Sequence, residues 1–246
     1  MSTFTSADAA PVKQPSSAFA GLGTLPGEAD RVRSFWRSVE RYPPGVTLHA
    51  GTGLSARKVI VSGWASETRI LHDGRRQIFS FLLPGDAVDL TRAGSIGRRS
   101  VVTLTRLETV DAEVLLNRSD ATRETVREAI QTAMRRKEER LFDHMARIGR
   151  LTTKERVLNL LLELHDRLEA VGLAKQGSFR IPLTQEVFAD TLGLSIVHIN
   201  RTLQHLRREG LITLKAGTVT LHDRRRLAAL CCYQMTGEDA ESPRLI

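Results

Sequence analysis

Residues 183–212 read LTQEVFADTLGLSIVHINRTLQHLRREGLI, and this stretch decides the fold of the C-terminal half. Thr184 can cap a short helix, its hydroxyl accepting a hydrogen bond from a free backbone N–H of the first turn. Val187, Phe188, Thr191 and Leu192 give that helix apolar bulk, while Glu186 and Asp190 stay polar. Gly193 tolerates the left-handed backbone that stops a helix. Leu194 packs at the turn and Ser195 caps a second helix. There Ile196, Ile199, Leu203 and Leu206 recur at spacings of three and four, one buried stripe at 3.6 residues per turn. The opposite face holds Val197, Arg201, Gln204, His205 and Arg208, with His198 and Asn200 on its flanks. The only acid, Glu209, stands near the helix end.

A basic, amide-rich face on the second helix of a helix-turn-helix suits the DNA major groove. Arg can bond a guanine edge in bidentate fashion, and Asn can do the same to adenine. The competing interpretation is a helix-turn-helix used for protein contacts, its charged face merely solvated.

The stretch resembles the C-terminal DNA-binding domain of the Crp/Fnr superfamily of bacterial transcription regulators. The match runs without gaps over 183–212 and into a wing at Thr213–Leu221. The resemblance puts the family's base-reading Arg on Arg201. It puts the base-reading Glu on Val197, which cannot accept a hydrogen bond from cytosine, and Ile196 stands where Arg is frequent. The half-site read by the best-known members is therefore not expected here, and His198, Asn200 and Arg201 stand as the local substitute. The expected base readers are Val197, His198, Asn200, Arg201 and Gln204. The expected phosphate contacts are Thr184, Gln185, Ser195, His205, Arg208 and Lys215, with His198 also at a phosphate position of the family.

The whole chain has 246 residues, room for two modest domains with a core each. Hydrophobic residues make up 41% and charged residues 26%, as in soluble globular proteins. The net charge of +8 favours an anionic partner. Cys231 and Cys232 are adjacent and make neither a disulfide framework nor a closed metal site. No apolar run is long enough to span a membrane, and no secretion signal is evident, so a cytoplasmic location is expected.

Residues 1–28 are rich in Ser, Ala, Gly, Pro and Thr and read as a disordered tail. A short helix is expected over Ala29–Glu40. From Tyr42 to Leu115 the texture is β-branched: VTLHAG, KVIVSGWASETRIL, RQIFSFLL, DAVDL, SVVTLTRL and ETVDAEVLL, bounded by turn residues. His72-Asp73-Gly74-Arg75 marks a hairpin, and Leu83-Pro84-Gly85-Asp86 a second turn. Short strands at this spacing predict an antiparallel roll over 29–118. This half looks like the Crp/Fnr sensor domain, a jelly roll of the cyclic-nucleotide-binding type. Nucleotide-binding members carry Gly-Glu-Leu for the ribose and Arg-Ser or Arg-Thr for the phosphate. Here Val88-Asp89-Leu90 and Arg99-Ser100 stand at those places. Asp89, Arg99 and Ser100 are the candidate effector residues, with Asp shorter than Glu and Val88 denying close backbone approach; a degenerate pocket with solvated arginines is the competing interpretation. No cofactor is evident, and the family's iron–sulfur members need an N-terminal cysteine cluster that this chain lacks.

Residues 119–149 predict one long helix with an apolar stripe at Val126, Ala129, Ile130, Ala133, Met134, Leu141, Met145 and Ile148, interrupted at Lys137. The family pairs this helix across a two-fold axis, so Ile130, Met134, Leu141, Met145 and Ile148 are the expected dimer contacts. A second amphipathic helix is expected over Lys154–Val171, opening a winged helix-turn-helix domain at 150–233. Residues 234–246 read as a loose tail.

The expected fold is α+β: an N-terminal β-roll, a long dimerisation helix and a C-terminal winged helix-turn-helix. The resemblance implies double-stranded DNA, a second copy of the chain and RNA polymerase as partners, and no catalysis. The rival is a small-molecule- or metal-binding, cupin-like β-roll whose helical end mediates protein contacts. No nucleophile–base pairing or ligand cluster in the sequence serves that rival.

Overall fold

The computed structural model describes residues 38–49, 56–91, 99–116 and 120–235. The N-terminal tail and nearly all of the C-terminal tail lie outside them. So does most of the helix expected over Ala29–Glu40, whose described end is instead a strand.

Among the described residues the N-terminal half is built of β1 (Val39–Tyr42), β2 (Thr47–Leu48), β3 (Arg57–Ser62), β4 (Ala65–Ile70), β5 (Arg76–Leu82), β6 (Ala87–Asp89), β7 (Ser100–Thr103) and β8 (Leu107–Asp111). They form two four-stranded sheets, ordered β1-β8-β3-β6 and β2-β7-β4-β5, with every pairing antiparallel. Strand periodicity of two sorts the side chains. On β3, Ile60 joins Leu82, Val88, Val101 and Leu107 in one cluster, while Val59 and Val61 turn the other way. Gly63 makes the β3–β4 corner at φ +85°, and a Cβ there would meet the Arg106 carbonyl oxygen at 2.0 Å. Asp73-Gly74 closes the β4–β5 hairpin, with Gly74 at φ +84° and the Asp73 carboxylate accepting from Arg75 N at 3.1 Å.

One strand reading needs correction. Residues Ala112–Leu116 of ETVDAEVLL form a short helix, α1, where the sequence pattern pointed to continued strand. Asp111 ends β8, and its carboxylate accepts from Glu113 N at 2.8 Å, starting the turn that breaks the ladder.

Helix α2 (Asp120–Arg150) is 31 residues long. Its Val126 and Ile130 are buried against Val39, Val59, Val61, Ala87 and Val110 of the first sheet, with Met134 partly buried beside them. Helix α3 (Thr153–Glu169) follows, entered through Thr152, whose N–H donates to Glu155 Oε2 at 2.7 Å. Strands β9 (Ala174–Lys175) and β10 (Ser178–Arg180) make a tight hairpin. Then come α4 (Gln185–Leu192), α5 (Ile196–Arg208), β11 (Ile212–Lys215), β12 (Thr218–Leu221) and α6 (Arg224–Leu230). The β11–β12 wing turns at Ala216 (φ 48°) and Gly217 (φ 73°), the left-handed pair that a two-residue hairpin demands.

The outer face of the second sheet is covered by this C-terminal domain. Trp64, Ile78, Phe81 and Leu83 share a cluster with the leucines of α3 and the core of α4 and α5. A register shift makes this face: Glu67 pairs with Ser80 but Thr68 with Ile78, so Ile78 turns to join Phe81.

Candidate nucleic-acid interface

The helix-turn-helix forms as its sequence dictates. Thr184 Oγ1 caps α4 by accepting from Val187 N at 3.2 Å. Gly193 stops it in the left-handed region at φ 64°. Ser195 Oγ caps α5 by accepting from His198 N at 3.3 Å. Ile199, Leu203 and Leu206 are buried against α3 and α4 and fix the roll angle of α5.

Ile196 departs from the expected stripe and is 49% exposed. It lies in the first turn of α5, where apolar packing is supplied one turn later by Ile199. It therefore joins the outer face beside Val197, which is 58% exposed.

Every expected base reader is exposed: Val197, His198, Asn200, Arg201 and Gln204. Gln204 Nε2 donates to Asn200 Oδ1 at 3.1 Å, one turn away, so the two amides are held as a ladder along the face. His198 Nδ1 sits 3.1 Å from Ser195 Oγ, which orients its ring. Among the described residues Arg201 and Arg208 have no ion-pair partner, and both guanidinium groups face solvent.

The expected phosphate contacts border this face. Thr184, Ser195, His205, Arg208 and Lys215 are exposed and Gln185 is half-buried. Three of these side chains are already engaged: the Thr184 and Ser195 hydroxyls in their helix caps and His205 Nε2 with Glu209 Oε1 at 3.1 Å.

The structure adds residues that the motif did not show. A groove of about 390 Å³ runs between α5 and the start of α3, lined by Thr153, Lys154, Arg201, Thr202, Gln204, His205 and Arg208. Thr153 and Lys154 come from a helix some fifty residues upstream, so only the tertiary fold brings them to the face. Lys154 Nζ is held by Glu209 Oε2 at 2.5 Å.

A buried polar seam fixes this domain to the roll. Asp86, from the β5–β6 turn, meets Arg140 of α2 at 2.8 Å and Arg167 of α3 at 2.6 Å. Glu163 meets Arg167 at 2.9 Å and Arg147 at 2.5 Å. Burial alone would raise the Glu163 carboxyl, but Arg147 and Arg167 hold it down to about 2. On the outer edge Arg76 of β5 bonds Asp190 of α4 at 2.6 Å, and Gln77 Nε2 donates to Thr191 O at 3.2 Å.

The candidate effector residues are not arranged as an open anion site. Arg99 Nη1 lies 3.1 Å from Glu67 Oε1, and its Nη2 donates to the Asp89 carbonyl at 2.9 Å. The Asp89 carboxylate accepts from Thr91 N and Oγ1 at 2.9 and 2.6 Å, so it is turned to its own loop. Ser100 is a ladder residue of β7 opposite Thr68. A carboxylate of the same chain, Glu67, stands beside the Arg99 guanidinium.

The expected dimer stripe divides in two. Ile130 is 5% exposed and belongs to the roll's own packing, which corrects its place among the dimer contacts. Met134 and Ile148 are half-buried. Leu141, Phe142 and Met145 are exposed, at 42%, 61% and 52%. Phe142 was missed because the 3–4 stepping passes over it. Between the two halves Lys137 is buried and bonds Glu67 at 2.6 Å.

His165, Asp166 and Glu169 lie close enough to suit a metal ion. The position is already served by a cation, with Arg224 at 2.9 Å from Asp166 and 3.1 Å from Glu169, and Tyr233 donating to Asp166 at 3.1 Å. Among the described residues no helix is long and apolar enough to cross a membrane.

A β-roll joined through a long helix to a winged helix-turn-helix, with its recognition helix turned outward, defines a DNA-binding regulator. Comparison with known proteins agrees. The family model for the Crp-like helix-turn-helix domain matches residues 155–230. The nitrogen fixation regulation protein FixK of Azorhizobium caulinodans is 34% identical over 175 residues, covering 70% of each chain. FixK of Rhizobium meliloti is 33% identical over 199 residues, 79% of this chain and 88% of that one. Among solved structures, FixK2 from Bradyrhizobium japonicum superposes with a TM-score of 0.62 at 27% identity, covering 78% of this chain and 96% of that one. The chain belongs to the Crp/Fnr family of transcription regulators. It is a DNA-binding regulator rather than an enzyme, and the cupin-like alternative is not favoured.

Proposed function

We propose that the chain acts as a homodimer on a two-fold symmetric DNA site, with α5 of each subunit in successive major grooves. Arg201, Asn200, Gln204, His198 and Val197 meet base edges; Thr184, Gln185, Ser195, His205, Arg208 and Lys215 meet phosphates. The observation that carries this reading is the outer face of α5, where Arg201 and Arg208 stand exposed with no ion-pair partner among the described residues. The exposed Leu141, Phe142 and Met145 supply the second copy's docking stripe, in keeping with a helix pairing across a two-fold axis. RNA polymerase is the partner through which bound protein acts, and the cytoplasm is where both are met.

The roll serves this reading as a brace rather than as an open receptor. Its Asp86 and Arg76 hold α3 and α4, and Glu67 already pairs with the arginine that an anionic effector would use.

Selection of bound sequences from a random duplex pool tests the reading. The expected product is an inverted repeat whose half-site centres lie about 34 Å apart along the duplex. Recovery of unrelated sequences, with no repeat and no protected footprint, overturns it.

A further inference from the structure

The one acid at α5, its C-terminal cap, has a role that helix-turn-helix geometry alone does not require. Glu209 is the C-terminal cap residue of α5. A carboxylate at a helix C-terminus meets the negative end of the backbone dipole, so the fold gains little by placing it there. Its two partners are groups that can also bind a phosphate. Lys154 Nζ is 2.5 Å from Oε2, and His205 Nε2 is 3.1 Å from Oε1. Both partners line the groove shared with Arg201 and Arg208. The carboxylate itself is 36% exposed, as is Lys154 at 35%, so the cluster sits at the surface where a duplex backbone would arrive. The hydrogen bond from Lys154 holds the Glu209 carboxyl below the usual carboxylate range, which keeps it ionised at neutral pH.

We infer that Glu209 is an internal competitor for DNA phosphate: it occupies Lys154 and His205 in the free protein, and a phosphate must displace it to engage them. This deepens the proposed DNA-facing role of α5 and rests on it. The carboxylate contacts Lys154 and His205 and leaves Arg201, the expected base reader, untouched. Its effect is therefore on the electrostatic part of binding, which is common to all duplexes. It lowers grip on DNA in general and leaves the choice of sequence to the central part of the helix.

The experiment uses the full chain with Glu209→Gln, measured by anisotropy on the selected duplex and on a scrambled one across a salt series. The expected result is a several-fold gain in affinity on both duplexes by the same factor. The plot of log affinity against log salt steepens by about 0.9 for each subunit bound, the value of one further phosphate contact. In a Lys154→Met background the same substitution gives a smaller gain, since the released charge is gone. Unchanged affinity and slope overturn the inference. So does a loss on both duplexes, which would make Glu209 an organiser of Lys154, and so does a loss confined to the selected duplex, which would make it a base reader, or a gain confined to it, which would place its effect on sequence choice. Arg201→Ala is run alongside. If it weakens the selected duplex while Glu209→Gln is silent, the inference alone fails; if neither has any effect, the assignment of this face to DNA fails as well.

Discussion

Arg99 Nη1 lies 3.1 Å from Glu67 Oε1, and the same oxygen accepts from Lys137 Nζ at 2.6 Å. One buried carboxylate thus ties a strand of the roll to the loop before β7 and to the long helix α2. Burial lowers the Lys137 pKa despite the attraction of Glu67, so this lysine depends on its partner for its charge. Glu67→Gln removes the only negative member and leaves two cations facing each other. A loss of about 3–5 kcal/mol in urea unfolding is expected, the cost of breaking a buried pair from one side. Adding Lys137→Met is expected to recover part of that loss. A change under about 1 kcal/mol, the size of an exposed pair, would show that the triad carries no such weight.

Acid should loosen the seam between the roll and the DNA-reading domain, and His144 sets the first step. Its ring is buried on α2, with Nε2 lacking a hydrogen-bond partner among the described residues and Arg147 at 3.4 Å from Nδ1. Burial, and then the Arg147 charge, press its pKa down to about 4. In the unfolded chain it returns to about 6.5. The unfolded state then binds more protons between these values, so stability is whole above about 6.5 and falls as pH drops toward 4. The loss from this group is on the order of 3 kcal/mol. Glu163 and Asp86 across the seam are also held low, and their contributions fade at lower pH than the first part of the His144 step. Thermal melts at pH 7 and pH 5 check this. His144→Gln is expected to reduce the difference in melting temperature between them, and an unaltered difference would clear His144 of the role.

How much of this was legible in the sequence depended on how local the cause was. Thr184, Gly193 and Ser195 act within a few residues of themselves, and the caps and turn form as read. The Asp73-Gly74 hairpin and the Ala216-Gly217 wing turn are likewise local. Ile130 misled because the apolar stripe of α2 is continuous in sequence while its cover changes along the helix, from sheet to open surface. The Arg99 pairing was not legible because its partner, Glu67, is more than thirty positions away on β4. Lys154 escaped notice for the same reason: periodicity places it on a helix, and only the packing of α3 against α5 turns it to the groove.

Arg201 and Arg208 are adjacent on the α5 face two turns apart, yet they are expected to respond differently. Arg201 stands mid-helix beside the Asn200–Gln204 ladder, where base edges come within reach. Arg201→Ala should cost about 1–3 kcal/mol on the selected duplex and relax its preference at one base pair of each half-site. Arg208, in the last turn, is assigned to phosphate, so Arg208→Ala should weaken selected and scrambled duplexes alike and flatten the salt dependence. Binding titrations on both duplexes separate the two; equal losses for Arg201→Ala would remove it from the base-reading set.

Two substitutions on the one helix should separate folding from pairing. Leu141 is 42% exposed in the single subunit, beside Phe142 and Met145, so an acid there meets water and leaves the fold intact. In a dimer joined along this stripe, the same acid is driven into an apolar seam without a partner. Leu141→Asp is therefore expected to sediment as a folded monomer and to lose affinity for a two-fold site. Ile130 is 5% exposed and sits under the roll's first sheet. Ile130→Asp should instead destabilise the subunit itself, by more than the roughly 2–5 kcal/mol of an Ile→Ala truncation. Sedimentation velocity with circular dichroism on both variants decides the matter. A Leu141→Asp protein that keeps the wild-type mass and binds the inverted repeat unchanged would place the subunit contact somewhere other than α2.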